Sequence, residues 1–82
     1  MRLPRDVSGA DLARRLEKLG YQVTRQTGSH MRLTFAQPPE HHITVPAHNA
    51  IRVGTLAGIL QSVADRHGLS RDELVLRLFQ RA

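Results

Sequence analysis

Eighty-two residues suffice for one small domain, and no apolar run approaches the roughly 20 residues that a membrane helix requires. The lack of any cysteine excludes disulfides, thiolate zinc sites and cysteine nucleophiles together. Twelve basic residues, eleven of them arginine, against seven carboxylates give a net charge of +5, the footprint of a nucleic-acid or acidic-protein partner.

The first predicted element is a helix. Ser8-Gly9-Ala10-Asp11 fits a capping-box variant, and Leu12, Leu16 and Leu19 follow at helical spacing with Arg14, Arg15, Glu17 and Lys18 on the solvent side. Gly20 sits where a left-handed residue ends a helix. Tyr21 to Gln26 reads as a strand with Tyr21, Val23 and Arg25 on one face. Thr27-Gly28-Ser29 turns the chain into a second strand, His30 to Phe35. Pro38 and Pro39 interrupt any ladder, so a third strand runs from His41 to Val45, with Ile43 and Val45 inward, until Pro46 closes it.

Residues 46–53 read as an irregular polar loop, and Gly54-Thr55 opens a second helix with Thr55 as its cap. Leu56, Ile59, Leu60 and Val63 form its buried stripe, and Gly68-Leu69 ends it. Ser70-Arg71-Asp72-Glu73 is a full capping box, so a third helix begins at once. Its apolar residues Leu74, Val75, Leu76, Leu78 and Phe79 span a wider arc than one packing stripe needs, which predicts a surplus apolar face for a partner or a second copy. The predicted class is α+β: an α-β-β-β-α order with a three-stranded antiparallel sheet, the helices on one face, and a short additional C-terminal helix. The whole chain, residues 1–82, reads as a single domain. No charged-then-apolar leader opens it, so a cytoplasmic location is expected.

Within this pattern Gly28-Ser29-His30 carries the most chemistry. In the second strand Met31, Leu33 and Phe35 fall on one face, and His30, Arg32 and Thr34 on the other. An outward histidine beside a cation suits anion or phosphate chemistry near pH 7. Gly-Ser-His-Met also resembles a tag-cleavage remnant, but here it lies inside a well-formed helix and strand pattern. The α-β-β-β-α order is itself the arrangement of double-stranded RNA-binding domains, which read A-form RNA through phosphates and 2′-hydroxyls. RNA is therefore the first partner to test.

Taken together, several segments resemble the HicA toxin family (YcfA-like proteins): Gly9-Ala10-Asp11-Leu12 through Leu19-Gly20-Tyr21, then Arg25-Gln26-Thr27-Gly28-Ser29-His30, then Ile43-Thr44-Val45-Pro46-Ala47-His48. Gly54-Thr55-Leu56 with Ile59-Leu60, and Gly68-Leu69-Ser70, complete the resemblance over roughly residues 8 to 79. It implies a ribonuclease toxin (an mRNA interferase) with a double-stranded-RNA-binding-like fold. It implies as partners mRNA and a HicB-like antitoxin that silences the toxin as a hetero-oligomer. In that family the histidine of the glycine-serine-histidine turn is catalytic, which carries over to His30. Asn49 to Val53 departs from the family in lacking the lysines often found before the glycine-threonine pair; only Arg52 is basic there.

The reaction best suited to such a site is attack of a 2′-hydroxyl on its own phosphodiester. It needs a base, a cation at the phosphorane and an acid for the 5′-oxygen. His30 can be base or acid. Arg32 on the same strand face can hold the phosphate, and so can Arg25, unless Arg25 instead lies along the core side with Tyr21 and Val23. Backbone amides at Gly28 or Ser29 can donate to a phosphate oxygen. His48 either supplies the second proton-transfer group or caps the loop or the helix that follows it. The expected RNA-binding set is thus Gly28, Ser29, Arg25, Arg32, His48 and Arg52.

Adjacent His41 and His42 face opposite ways on a strand and cannot share one site. His67, in the last turn of its helix, reads as structural, a cation suited to the helix dipole. No metal and no other cofactor is expected. Two other classes of function stand beside the nuclease: a non-catalytic RNA-binding module and a protein-interaction domain working through the third helix.

Overall fold

The computed structural model describes residues 3–79, and the chain runs α1 (Gly9–Leu19), β1 (Tyr21–Thr27), β2 (His30–Phe35), β3 (His41–Pro46), α2 (Val53–His67) and α3 (Arg71–Phe79). The three strands form one antiparallel sheet in the order β1-β2-β3. Among the described residues no helix is long and apolar enough to cross a membrane.

Local chemistry sets the element ends where the sequence places them. Ser8 is the N-cap of α1, its Oγ accepting from the Asp11 N–H at 3.0 Å. Gly20 ends the helix at φ 116°, and its amide donates to the Glu17 carbonyl. The capping box before α3 is complete: the Ser70 N–H donates to Glu73 Oε1 at 3.0 Å, and the Glu73 N–H donates to Ser70 Oγ at 3.1 Å. Thr27 pairs with His30 across a two-residue turn in which Gly28 alone has positive φ, 56°. That is a II′ turn, whose twist matches the strands and whose first position favours glycine.

One face of the sheet is apolar and meets the helices. Leu33 and Val45 are fully buried against Leu12 and Leu16 of α1 and Leu56, Leu60 and Val63 of α2. Each such side chain contributes roughly 1.5–3 kcal/mol by burial. Ile51, buried in the loop between β3 and α2, anchors that loop, and its N–H donates to the Val7 carbonyl at 2.8 Å.

Two expectations are corrected. The first concerns α3. Leu74, Val75 and Leu78 are buried in the common core, and Phe79 is half-buried under the Arg15 guanidinium, 4.6 Å from the ring centroid. Arg15 also donates to the Leu78 carbonyl at 2.7 Å. Leu76 is the only large exposed apolar side chain of α3, so the predicted surplus face is absorbed by packing on α1 and α2.

The second concerns β1. Val23 pairs with Leu33 and Arg25 pairs with Arg32, so Thr24 is an extra residue, a β-bulge. Strict alternation puts Arg25 on the side of Tyr21 and Val23. The bulge reverses this and sets Arg25 opposite Arg32 on the open face. Thr24 shares that face, its Oγ1 lying 2.8 Å from Thr34 Oγ1.

Candidate functional site

A cleft of about 330 Å³ opens at the β3 edge of the sheet, lined by His30, Thr44, Pro46, His48, Arg52 and Thr55. Four segments build it. The II′ turn delivers His30 as the first residue of β2, directly across from Pro46. Strand β3 contributes Thr44 and Pro46. The loop after it carries His48 and Arg52, and the first turn of α2 adds Thr55.

The loop is tied down at three points. The Ala47 N–H donates to the Ser29 carbonyl at 2.6 Å, joining it to the turn before His30. The Gly9 N–H donates to the His48 carbonyl at 2.9 Å, and Ile51 plugs the core. His48 and Arg52 thus stay exposed on a backbone fixed at both flanks.

The cleft brings together His30, His48 and Arg52 of the residues expected from the sequence. Gly28 and Ser29 form the turn immediately before His30 and do not line it. Arg32 and Arg25 lie outside, one row along the open sheet face, where Arg32 pairs with Thr44 of the cleft wall.

Thr55 corrects a further expectation. The N-cap of α2 is Arg52, in extended conformation with no side-chain cap hydrogen bond, and Thr55 lies in the first turn. That turn has no acidic residue. Its free N–H groups and the helix dipole therefore add to the cleft a positive potential that favours anions. The residues that sequence reasoning missed at the cleft are Thr44, Pro46 and Thr55. Their signal was present in the pairing of a His30-led strand with a proline-ended one, but only the register reveals it.

A family model for the HicA toxin of bacterial toxin-antitoxin matches residues 9–63, which include β1 to β3, the whole cleft and most of α2. The chain belongs to the HicA toxin family. Comparisons with curated proteins and with solved structures gave no significant match. As a HicA-family chain it is a toxin-type protein of a toxin–antitoxin system, and the cleft falls wholly within the matched segment.

The far end of this HicA sheet holds a second polar cluster. The Tyr21 hydroxyl lies 2.6 Å from His41 Nδ1 and 3.1 Å from His67 Nε2, and His41 Nε2 lies 3.0 Å from Ser62 Oγ. Burial, then the Arg66 guanidinium, pushes both imidazoles below their ordinary value. His67 is therefore a neutral hydrogen-bonding group, not the dipole-compensating cation expected from its position. Arg66 itself spans from the Phe35 ring to the carbonyls of Gln37 and Pro39. Burial also raises the Tyr21 hydroxyl to about 12.

The pH dependence follows. The unfolded chain takes up protons on these histidines below about pH 6.5, whereas the folded chain resists doing so. The network's stability is full above that pH and is lost as pH falls through the lowered values. On the alkaline side it is full below about pH 10 and is lost as pH rises toward 12, where Tyr21 ionises. Unfolding midpoints measured from pH 7.5 to 5 should fall, and a His41→Asn/His67→Asn variant should flatten that acid limb. A flat profile in the parent chain counts against this account.

Proposed function

We propose that this chain is the ribonuclease toxin of its toxin–antitoxin pair and cleaves RNA in the cleft at His30. The supporting observation is the convergence of His30, His48 and Arg52 on one cleft at an uncapped helix N-terminus. Two histidines supply the two proton transfers that phosphodiester cleavage needs. Arg52 and the first-turn N–H groups of α2 supply positive charge for the phosphorane.

In this reading one imidazole accepts the 2′-hydroxyl proton as O2′ bonds to phosphorus. The P–O5′ bond breaks, and the other imidazolium gives its proton to O5′. The products carry a 2′,3′-cyclic phosphate and a 5′-hydroxyl, with no water consumed. A HicB-like antitoxin silences the toxin by occlusion, since a standard interface of about 800 Å² per partner is wide enough to cover the cleft.

The test is end-group analysis of RNA cleaved by the purified toxin. Cyclic-phosphate and 5′-hydroxyl ends formed in the presence of EDTA are expected. Products with 5′-phosphate ends, or activity abolished by EDTA, would overturn this chemistry. A non-catalytic RNA-binding module, the second reading, predicts binding without cleavage whatever stands at position 30.

A further inference from the structure

The open face of the sheet carries charge of one sign. None of the seven carboxylates of the chain stands on a strand, whereas β1 and β2 each place an arginine on this face. Arg25 and Arg32 are directly opposed across the strands, an arrangement that costs stability through like-charge repulsion. Among the described residues neither guanidinium has an ion-pair partner, and both are exposed. The bulge at Thr24 creates this opposition. Thr24 is held in place by Thr34, which His42 also bonds at 2.8 Å, while Glu40 fixes the far side of His42 at 2.7 Å. Glu40 is thus engaged at the rim with His42, and among the described residues neither arginine has a counter-charge.

The helix side is different. Asp11 pairs with Arg14 and Arg15, and Glu17 and Asp65 stand exposed among the basic residues of α1 and α2. A-form duplex laid across the helices would meet these carboxylates.

We infer that the open sheet face is a track for the backbone of single-stranded RNA, running from Arg25 and Arg32 past Thr44 into the cleft. The inference rests on the proposed nuclease reading and adds to it the strandedness and path of the substrate. His30 and Arg32 are two residues apart on β2, roughly 7 Å, on the scale of one nucleotide step. Thr44 belongs both to the cleft wall and to the Arg32 row, so cleft and track are continuous. Strandedness follows from the chemistry as well. Attack by O2′ requires it to stand in line with the P–O5′ bond, a geometry that stacked A-form RNA does not offer. Entry of one nucleotide into a 330 Å³ cleft likewise requires it to leave the stack.

The probe is a fluorescein-labelled RNA dodecamer, alone or annealed to its complement, titrated into full-length His30→Ala protein at several salt concentrations. The single strand should bind at least tenfold more tightly than the duplex. Arg25→Gln/Arg32→Gln in the same background should weaken it by tenfold or more. The salt slope should fall by about 1.4, at about 0.7 for each phosphate that an arginine no longer neutralises. Circular dichroism and the unfolding midpoint verify that the variant is folded; removing the opposed charges should leave it no less stable. Equal binding of duplex and single strand, or an unchanged affinity and slope in the double variant, overturns the track. Unchanged RNA binding with weakened antitoxin binding assigns the face to the protein partner and also overturns it. Cleavage by the parent chain is scored separately, so the cleft reading can stand when the track fails, and the track can stand when cleavage is absent.

Discussion

Replacing His30 with alanine is expected to lower RNA cleavage by about 10²–10⁴-fold, the range for loss of an acid–base group. Fold and binding should be little changed. His30 is exposed, its neighbour Met31 carries the packing, and the II′ turn before it depends on Gly28. The effect should therefore appear in the rate of single-turnover cleavage and not in the unfolding midpoint. His48→Ala distinguishes the two histidines. If both transfer protons, each single variant should lose the larger part of the activity, and the double variant should lose little more, because groups acting as a unit are non-additive. A His30→Ala protein that cleaves at the parental rate would sink the assignment, whatever its affinity for RNA.

The second large effect is structural and falls on Gly9. This residue opens α1 against the end of β3, and a Cβ there would drive into the carbonyl oxygen of Pro46 and crowd the Ala47 backbone. Its N–H meanwhile holds the His48 carbonyl. Alanine in place of glycine ordinarily helps a helix by up to about 1 kcal/mol. Overpacking against rigid backbone costs roughly 1–3 kcal/mol, which outweighs that gain, and weakening the hydrogen bond to the loop adds to it. Gly9→Ala should therefore lower the unfolding midpoint by about 10 °C, given roughly 4–8 °C per kcal/mol at this size. It should reduce cleavage as well, because the displaced loop carries His48.

Gly58 provides the contrast. It lies in mid-α2 with open space where a Cβ would point, so Gly58→Ala should raise the midpoint slightly. The same chemical change with opposite signs separates helix propensity from close approach. Equal shifts at both positions would show that Pro46 gives way and that Gly9 does not seat the His48 loop.

Much of the architecture was legible along the chain because its signals are local. Ser8, Gly20, Gly68 and the Ser70–Glu73 box mark element ends through hydrogen bonds spanning three or four residues. Alternation in His30 to Phe35 places Met31 and Leu33 inward from sequence alone. His30, Arg32 and their shared face were readable for the same reason.

What the sequence could not determine depends on contacts between distant segments. No residue type in Tyr21–Thr27 marks a bulge, since Thr24 is neither glycine nor proline. The bulge exists because the ladder with β2 slips by one residue, and that slip moved Arg25 from the core parity to the open face. The α3 arc looked surplus because one helix was judged by its own stripe, whereas α1 and α2 both pack on it. Tyr21, His41 and His67 are up to 46 residues apart, and only the closing of the sheet against α2 turns three ambiguous side chains into one network. By itself the sequence determined the elements, the outward His30 and the family. Tertiary structure decided which cations and which second histidine stand beside His30, because register and loop anchoring are properties of paired segments, not of any one.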